Sequence, residues 1–224
     1  MIKMFFKKLA VHSCLPLTFL LLGYLFLYFA FSPIVNLGVT AWSVFASDIN
    51  KEQNEEIYKD IYTENVFSGY DSYIPSSEIV YPTSNTRYGK IIITHGEDVF
   101  DIPLFFGDTK AILRKGAGHY MGSNFPGEGK TVLISAHNNT YFNCLQYLKV
   151  GDIIEVKTNY AHYKYEVTNL QVLKKDDPKA FDFETDYENL VLYTCYPFNA
   201  LGLTSKRYFV SAKLVSGPLV DFSK

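Results

Sequence analysis

The stretch Leu190-Val191-Leu192-Tyr193-Thr194-Cys195 decides the interpretation of this chain, because a cysteine follows directly on an apolar run. Such a run predicts a buried strand that delivers the cysteine at its end. A second apolar run, 131–136, leads into His137, and Arg207 opens a third run at 208–210. We therefore expect three strand ends to bring together a thiol, an imidazole and a guanidinium, the groups needed to attack an amide carbonyl through sulfur.

Each of these groups has a defined chemical role in that hypothesis. Cys195 is the nucleophile, and His137 moves the proton because an imidazole has an unperturbed pKa near neutral. Arg207 stays charged at any working pH, so it can hold the oxygen on which negative charge grows or clamp the substrate backbone. The backbone N–H of Tyr196 is a candidate second donor to that oxygen, and the hydroxyl of Thr194 is a candidate for orienting substrate.

Singly, each residue also fits an ordinary structural role. A cysteine at the end of a buried strand is often a packed thiol, and an arginine at a strand start is often solvated. His119, in Gly116-Ala117-Gly118-His119, is the one serious rival to His137 for proton transfer. Cys144 and Cys195 could pair in an oxidising compartment, but we expect free thiols, and without a Cys-x-x-Cys spacing the sequence predicts no zinc or dithiol redox site.

The first 46 residues predict a membrane anchor. They carry Lys3, Lys7 and Lys8 but no acid, and no charged side chain occurs from Leu9 to Ala46. A membrane span needs about 20 apolar residues, and the flanking lysines favour a cytoplasmic N-terminus with the following domain outside the cell. We expect an uncleaved, single-pass signal-anchor, although Val44-Phe45-Ala46 leaves a cleaved signal peptide as the alternative.

The remaining chain divides by composition into a linker over 47–87 and a catalytic domain over 88–224. Residues 47–224 hold all 23 acidic residues and 18 basic ones, a formal charge of −5. No basic patch stands out, so nucleic acid is not an expected partner. The scattered acids have no spacing that demands calcium, and the sequence predicts neither a metal site nor a cofactor.

The catalytic domain has the pattern of an antiparallel barrel or sandwich. Stretches rich in β-branched and aromatic residues are separated by glycines, which predicts many short strands. Two short helices are expected, one within 107–116 and one within 141–148. The candidate strands are 91–93, 99–106, 132–135, 153–156, 163–172, 190–194 and 208–215.

Several motifs together resemble the sortase family. Leu192-Tyr193-Thr194-Cys195 and Lys206-Arg207-Tyr208-Phe209-Val210 are similar to its signature, and Ser135-Ala136-His137-Asn138 is similar to its histidine motif. The resemblance is nearest to class D sortases and covers roughly residues 88–215 in the right order. Its further elements are Phe106-Gly107-Asp108, Ile112 to Tyr120, Gly127-Glu128-Gly129 and Thr194-Cys195-Tyr196-Pro197-Phe198.

The resemblance implies a membrane-anchored cysteine transpeptidase with a closed eight-stranded sortase-type β-barrel, mainly β with short helices, preceded by a transmembrane helix. Such enzymes cleave a Leu-Pro-x-Thr-Gly-like signal between Thr and Gly through a thioacyl intermediate on the cysteine. The implied partners are surface proteins with a C-terminal sorting signal, an amine from a peptidoglycan precursor or a pilin, and membrane lipid. The implied location is the outer face of a Gram-positive-type cell membrane.

This chain departs from the family pattern at three positions. Ala136 stands where glycine is common, Asn138-Asn139 replaces a common Arg-Asp, and Tyr193 replaces a small or β-branched residue. We expect Tyr193 to point away from the cleft. Two other classes stay open, namely another exported cysteine peptidase acting on wall peptides and a non-catalytic surface-binding barrel.

Overall fold

The computed structural model describes residues 17–28, 59–64, 72–198 and 204–223, and the chain forms two compact units, 1–56 and 57–224. In the first unit, residues 17–28 form helix α1, whose side chains are exposed. Among the residues so described, no helix is long and apolar enough to cross a membrane. The rest of the expected anchor, residues 1–16 and 29–46, and most of the linker, 47–58 and 65–71, lie outside the described residues.

The second unit contains a closed barrel of eight strands, which confirms the predicted barrel. Around the barrel the strand order is β2-β3-β4-β5-β8-β9-β7-β6, and a parallel pair of short strands, β1 and β10, stands apart from it. Each of the eight strands therefore has a neighbouring strand on both sides within the barrel. The strands are β1 (Tyr73–Pro75), β2 (Arg87–His95), β3 (Asp98–Phe106), β4 (Ala117–His119), β5 (Thr131–Ser135), β6 (Ile153–Thr158), β7 (His162–Lys174), β8 (Asn189–Tyr196), β9 (Lys206–Ser216) and β10 (Leu219–Asp221).

The barrel interior is filled by alternate residues of its strands. Along β7, Tyr163, Tyr165 and Val167 are fully buried, and Lys164 between them is exposed. This alternation is the period of two that a strand with one solvated face requires. The core therefore lies inside the barrel, and residues of the opposite parity project outward.

Strands β5 and β8 differ because both of their faces are covered. They pair in parallel, from Thr131 with Asn189 to Ser135 with Tyr193. Leu190 and Leu192 belong to the interior core, whereas Val191 packs outside the barrel with Leu133, Phe209 and Ala180 of the loop between β7 and β8. Burial on two faces explains why this part of the sequence is continuously apolar and does not alternate.

The short helices are smaller than the sequence pattern suggests. Helix α2 covers only Lys110–Leu113, and residues 143–147 of the second expected helix form a 3-10 helix, Asn143–Tyr147, like Ser76–Glu78 earlier in the chain. Residues 114–116 of the first expected helix form a turn, and strand β4 follows directly. A side chain at Gly116 would clash with the Pro103 carbonyl oxygen, so the glycines let β4 lie close against β3.

Candidate active site

Cys195 and Arg207 are direct cross-strand partners at the open end of the β8–β9 pair. Both are half-buried, and Cys195 is a free thiol. Residues opposite each other in an antiparallel pair project to the same face of the sheet. The thiol and the guanidinium therefore project from adjacent strands to the same side of the barrel wall.

His137 lies on the other side of Cys195, just beyond the end of β5. The last register pair of β5 and β8 is Ser135 with Tyr193, and the Ala136 N–H continues it by donating to the Tyr193 carbonyl at 3.4 Å. Extended by two residues, this register sets His137 beside Cys195, and neighbouring strands lie about 4.8 Å apart. His137 is exposed. His137, Cys195 and Arg207 thus form a row across three adjacent strands.

Thr194 and Asn138 tie the histidine segment to the cysteine segment. Thr194 is 2% exposed, and its hydroxyl donates to the Ala136 carbonyl at 2.7 Å. Asn138, 5% exposed, donates from Nδ2 to the Pro197 carbonyl at 2.8 Å. His137 sits between these two links, so its backbone is fixed relative to Cys195.

Asn138 is a functional candidate that sequence reasoning passed over. The sequence shows Asn138 only as a departure from a family pattern, because nothing in one chain indicates that residue 138 meets residue 197. Its own carbonyl also accepts from Asn143 Nδ2 at 2.8 Å, which joins it to the following 3-10 helix. The one feature of the sequence that could have indicated a role for Asn138 is its position, since it is a short polar residue directly after the predicted histidine.

The Arg207 side chain is held partly by its own loop. Its Nη1 donates to the Thr204 carbonyl at 2.8 Å and to the Lys206 carbonyl at 2.9 Å. These contacts hold one of the two terminal nitrogens of the guanidinium. A guanidinium has five N–H donors, so other donors remain for a ligand.

Tyr196, the last residue of β8, packs its ring against Tyr208 at 6.4 Å and Phe198 at 6.1 Å between centroids. Its side chain projects to the same face of the strand as that of Thr194, opposite to that of Cys195. Its side chain therefore supports the loop that follows the cysteine, and only its backbone is placed near the sulfur.

An open cavity of about 470 Å³ lies on the outer face next to this row of residues. Tyr193 lines it, so the expectation that Tyr193 points away from the cleft is wrong. The reason is the strand period of two, which puts residues 193 and 195 on one face. The walls are mainly aromatic and the rim is charged: the lining residues are Asp108, Tyr120, Leu133, Lys175, Phe181, Phe183, Tyr193, Arg207 and Phe209.

The electrostatic surroundings favour a neutral His137. Partial burial lowers the pKa of its imidazole, and the nearby Arg114 charge lowers that pKa further. A neutral imidazole is the form that accepts a proton. The site therefore combines a proton acceptor with two fixed positive charges, at Arg114 and Arg207.

The rival histidine, His119, is sealed in the core. It is 0% exposed, its Nδ1 shares a hydrogen bond with the Tyr88 hydroxyl at 2.7 Å, and its Nε2 shares one with Ser123 Oγ at 2.9 Å. Burial lowers its pKa to about 4. Both ring nitrogens are occupied and no substrate reaches them, so His119 fits a structural role.

We expect His119 to make the domain less stable in acid. Its folded pKa lies below the unfolded value, so its contribution is intact above pH 6.5 and is lost as the pH falls towards about 4, where the unfolded chain takes up a proton first. The full loss is about 3 kcal/mol. Urea unfolding from pH 4 to 7 should show a steeper rise in stability for the wild type than for His119→Gln. Parallel curves for the two proteins would contradict this expectation.

The comparisons with known proteins agree with this geometry. The sortase domain model matches residues 93–215, more than half of the chain. Sortase D of Bacillus subtilis is 33% identical over 116 residues, which are 52% of this chain and 59% of that protein. The chain thus spans less than two thirds of the length of this relative.

Solved sortase structures share the fold. Sortase C of Streptococcus pneumoniae has a TM-score of 0.52 and 27% identity, over 58% of this chain and 68% of that one. A sortase D5 transpeptidase of Clostridium perfringens has a TM-score of 0.52 over 60% of this chain and 82% of that one, and at 24% identity its likeness is one of fold alone. The chain belongs to the sortase family, whose members are cysteine transpeptidases.

Proposed function

We propose that this protein is a transpeptidase that cleaves a Leu-Pro-x-Thr-Gly-like sorting signal between Thr and Gly and transfers the acyl part to an amine. One observation carries the proposal: Cys195 and Arg207 are register partners on the outer barrel face, beside an apolar cavity. Family membership supplies the reaction class.

In the first half-reaction, the Cys195 thiol passes its proton to the neutral His137 as its sulfur attacks the Thr carbonyl carbon. Arg207 donors and the Tyr196 N–H stabilise the oxygen as it becomes negative. His137 gives a proton to the leaving Gly amine, the C–N bond breaks, and a thioester remains on Cys195. In the second half-reaction an amine attacks the thioester, His137 takes its proton, and the C–S bond breaks.

The outer cavity would hold an apolar side chain of the signal upstream of the scissile bond. Leu133, Tyr193 and Phe209 form its floor, and Tyr193 is two residues from Cys195 along β8. Two strand residues span about 7 Å, a distance that an extended peptide covers in the same number of residues. Thr194 would act by positioning His137 and not by contacting the peptide, because its hydroxyl is already bonded to the Ala136 carbonyl.

We infer surface proteins with a C-terminal sorting signal as donors, and a peptidoglycan-precursor amine or a pilin amine as the acceptor. The S. pneumoniae sortase C structure is described in connection with pilin substrate specificity. This supports a pilin amine as one of the two candidate acceptors. We also propose single-pass anchoring in the cell membrane, with a cytoplasmic N-terminus and an extracellular catalytic domain. The charge-free run from Leu9 to Ala46 behind three lysines supports this arrangement.

The test is incubation of the protein with a fluorogenic Leu-Pro-x-Thr-Gly peptide, with and without an added amine such as triglycine. The proposal expects a thioacyl adduct on Cys195 by mass spectrometry and a transfer product that depends on the amine. Cleavage without transfer would instead indicate a peptidase acting on wall peptides. No reaction of Cys195 with peptide or thiol probe would indicate a non-catalytic binding barrel.

Replacing Arg207 by alanine should lower kcat/KM for this peptide about 10²- to 10³-fold, the usual cost of one lost oxyanion donor set. Arg207→Lys should recover only part of that loss, because an ammonium keeps the charge but not the planar fork of donors. Lys206→Ala is the matched control, since Lys206 is the exposed neighbour on the same strand. An Arg207→Ala rate within a few-fold of the wild type would remove Arg207 from the mechanism.

A further inference from the structure

Arg114 flanks the candidate histidine on the side away from the cysteine. Strands β4 and β5 are antiparallel, with Gly118 opposite Ser135. Extended by two residues, this register sets Gly116 beside His137. Arg114, which caps the C-terminal end of α2, precedes Gly116 by two residues. The turn that carries Arg114 therefore lies on the far side of His137 from Cys195 and Arg207.

The backbone that carries Arg114 is firmly held. The Gly116 N–H donates to the Ile112 carbonyl at 3.1 Å, and the Leu113 N–H donates to the Thr109 carbonyl at 3.0 Å. Ile112 is fully buried, which fixes α2 on the barrel. The position of residue 114 relative to the site is thus set by the fold.

The Arg114 side chain is available to a ligand. It is exposed, and the ion pairs among the described residues all involve other cations, on Arg87, Lys90, His162, Lys164 and Lys213. Its charge nevertheless reaches the imidazole, because it lowers the pKa of His137. An exposed guanidinium near the proton-transfer group, without a described carboxylate partner, is suited to anion recognition.

The acyl acceptor is the reactant that must approach along His137. Once Cys195 carries the acyl group, the donor peptide fills the outer cavity on the side of Tyr193 and Phe209. The acceptor amine has to reach the thioester carbon and give its proton to His137, so the body of the acceptor extends past the imidazole. Arg114 stands on that side.

We propose that Arg114 binds a carboxylate of the acyl acceptor, so that the preferred acceptors are amines that also carry a carboxylate. This inference rests on the proposed transpeptidase function. The bound acceptor attacks as a neutral amine: its nitrogen lone pair forms the C–N bond, the C–S bond breaks to release the Cys195 thiolate, and the amine proton passes to His137. The positive charge of Arg114 also disfavours a protonated amine at this position.

The test compares glycine, diglycine and triglycine, each as free acid and as C-terminal amide, as acceptors for the same peptide donor. Chain length varies because it sets the reach from amine to carboxylate. In the wild type we expect at least one free acid to exceed its amide about fivefold in transfer kcat/KM, as a partly solvated ion pair would give. Arg114→Ala should abolish that preference, and Arg114→Lys should keep part of it.

Lys110→Ala is the matched control, because Lys110 is an exposed cation on the same short helix but one turn away. It should keep the preference for free acids. The proposal would be overturned if the wild type showed no such preference. It would also be overturned if Arg114→Ala kept the preference, or if it lost transfer kcat/KM equally for acid and amide acceptors. Acylation of Cys195 is measured separately, because hydroxylamine converts the thioester of the wild type into the hydroxamate of the donor peptide. If no hydroxamate formed, the proposed transpeptidase function itself would have failed.

Discussion

Replacing Cys195 by alanine is expected to abolish cleavage and transfer, with a loss of at least about 10⁴-fold in kcat. Alanine removes the only atom that can form the thioacyl bond, and no other group in the row of site residues is a nucleophile of that kind. The residual rate would come from binding and charge stabilisation alone. The measurement is peptide cleavage by chromatography together with intact-protein mass spectrometry for the adduct.

Cys144→Ala is the matched control for that experiment. Cys144 is the other free thiol of the described residues, but it is buried, and burial raises the pKa of its thiol to about 12. The substitution should cost some stability through lost packing and leave turnover of the folded protein intact. A Cys195→Ala protein that still cleaves, or a Cys144→Ala protein that is folded and inactive, would show that the nucleophile is assigned to the wrong residue.

The central strands could be predicted from the sequence because continuous runs of apolar residues indicate that they are buried. In the run that ends at Cys195, the residues of both strand faces are apolar, as expected for a strand that is covered on both faces. Cys195 and Arg207 pair because β8 and β9 are consecutive antiparallel strands. Local pattern and global fold agree at these positions.

Other parts of the site depend on contacts between segments far apart in sequence. Strand β4 contains Ala117 between Gly116 and Gly118, which gives no alternation to detect. Its place is set by close backbone approach to β3. The outward direction of Tyr193 depends on which parity faces the core. The cavity wall from Phe181 and Phe183 belongs to an irregular loop with no periodicity of its own.

The two histidines illustrate the same limit. His119 and His137 both follow apolar or small residues, and their surroundings alone separate them. The fold encloses His119 among Tyr88, Phe106 and Phe125. It leaves His137 exposed beyond the end of β5, between the links made by Thr194 and Asn138. Which histidine reaches solvent is a tertiary property, so the sequence favoured His137 but could not remove His119 as its rival.

His137→Ala is expected to lower kcat/KM for peptide cleavage about 10⁴-fold, the upper range for loss of one general acid–base group. Without the imidazole the leaving amine must depart unprotonated and the acceptor keeps its proton, so both half-reactions slow. Because the pKa of His137 is lowered by partial burial and by Arg114, the wild-type imidazole loses its proton below its ordinary range. The fall of the wild-type transfer rate on acidification should therefore occur below pH 6.5, and it should be absent in the variant.

His119→Gln distinguishes the two histidines in one comparison. An amide can keep a hydrogen bond to the Tyr88 hydroxyl or to Ser123, so the variant should fold and turn over peptide at a rate close to the wild type. Its effect should appear in acid stability instead. If His119→Gln were folded but inactive while His137→Ala retained activity, the proton carrier would be the buried ring. The row of His137, Cys195 and Arg207 would then have to be abandoned as the catalytic centre, because a sealed imidazole can exchange protons with Cys195 only after the barrel wall opens.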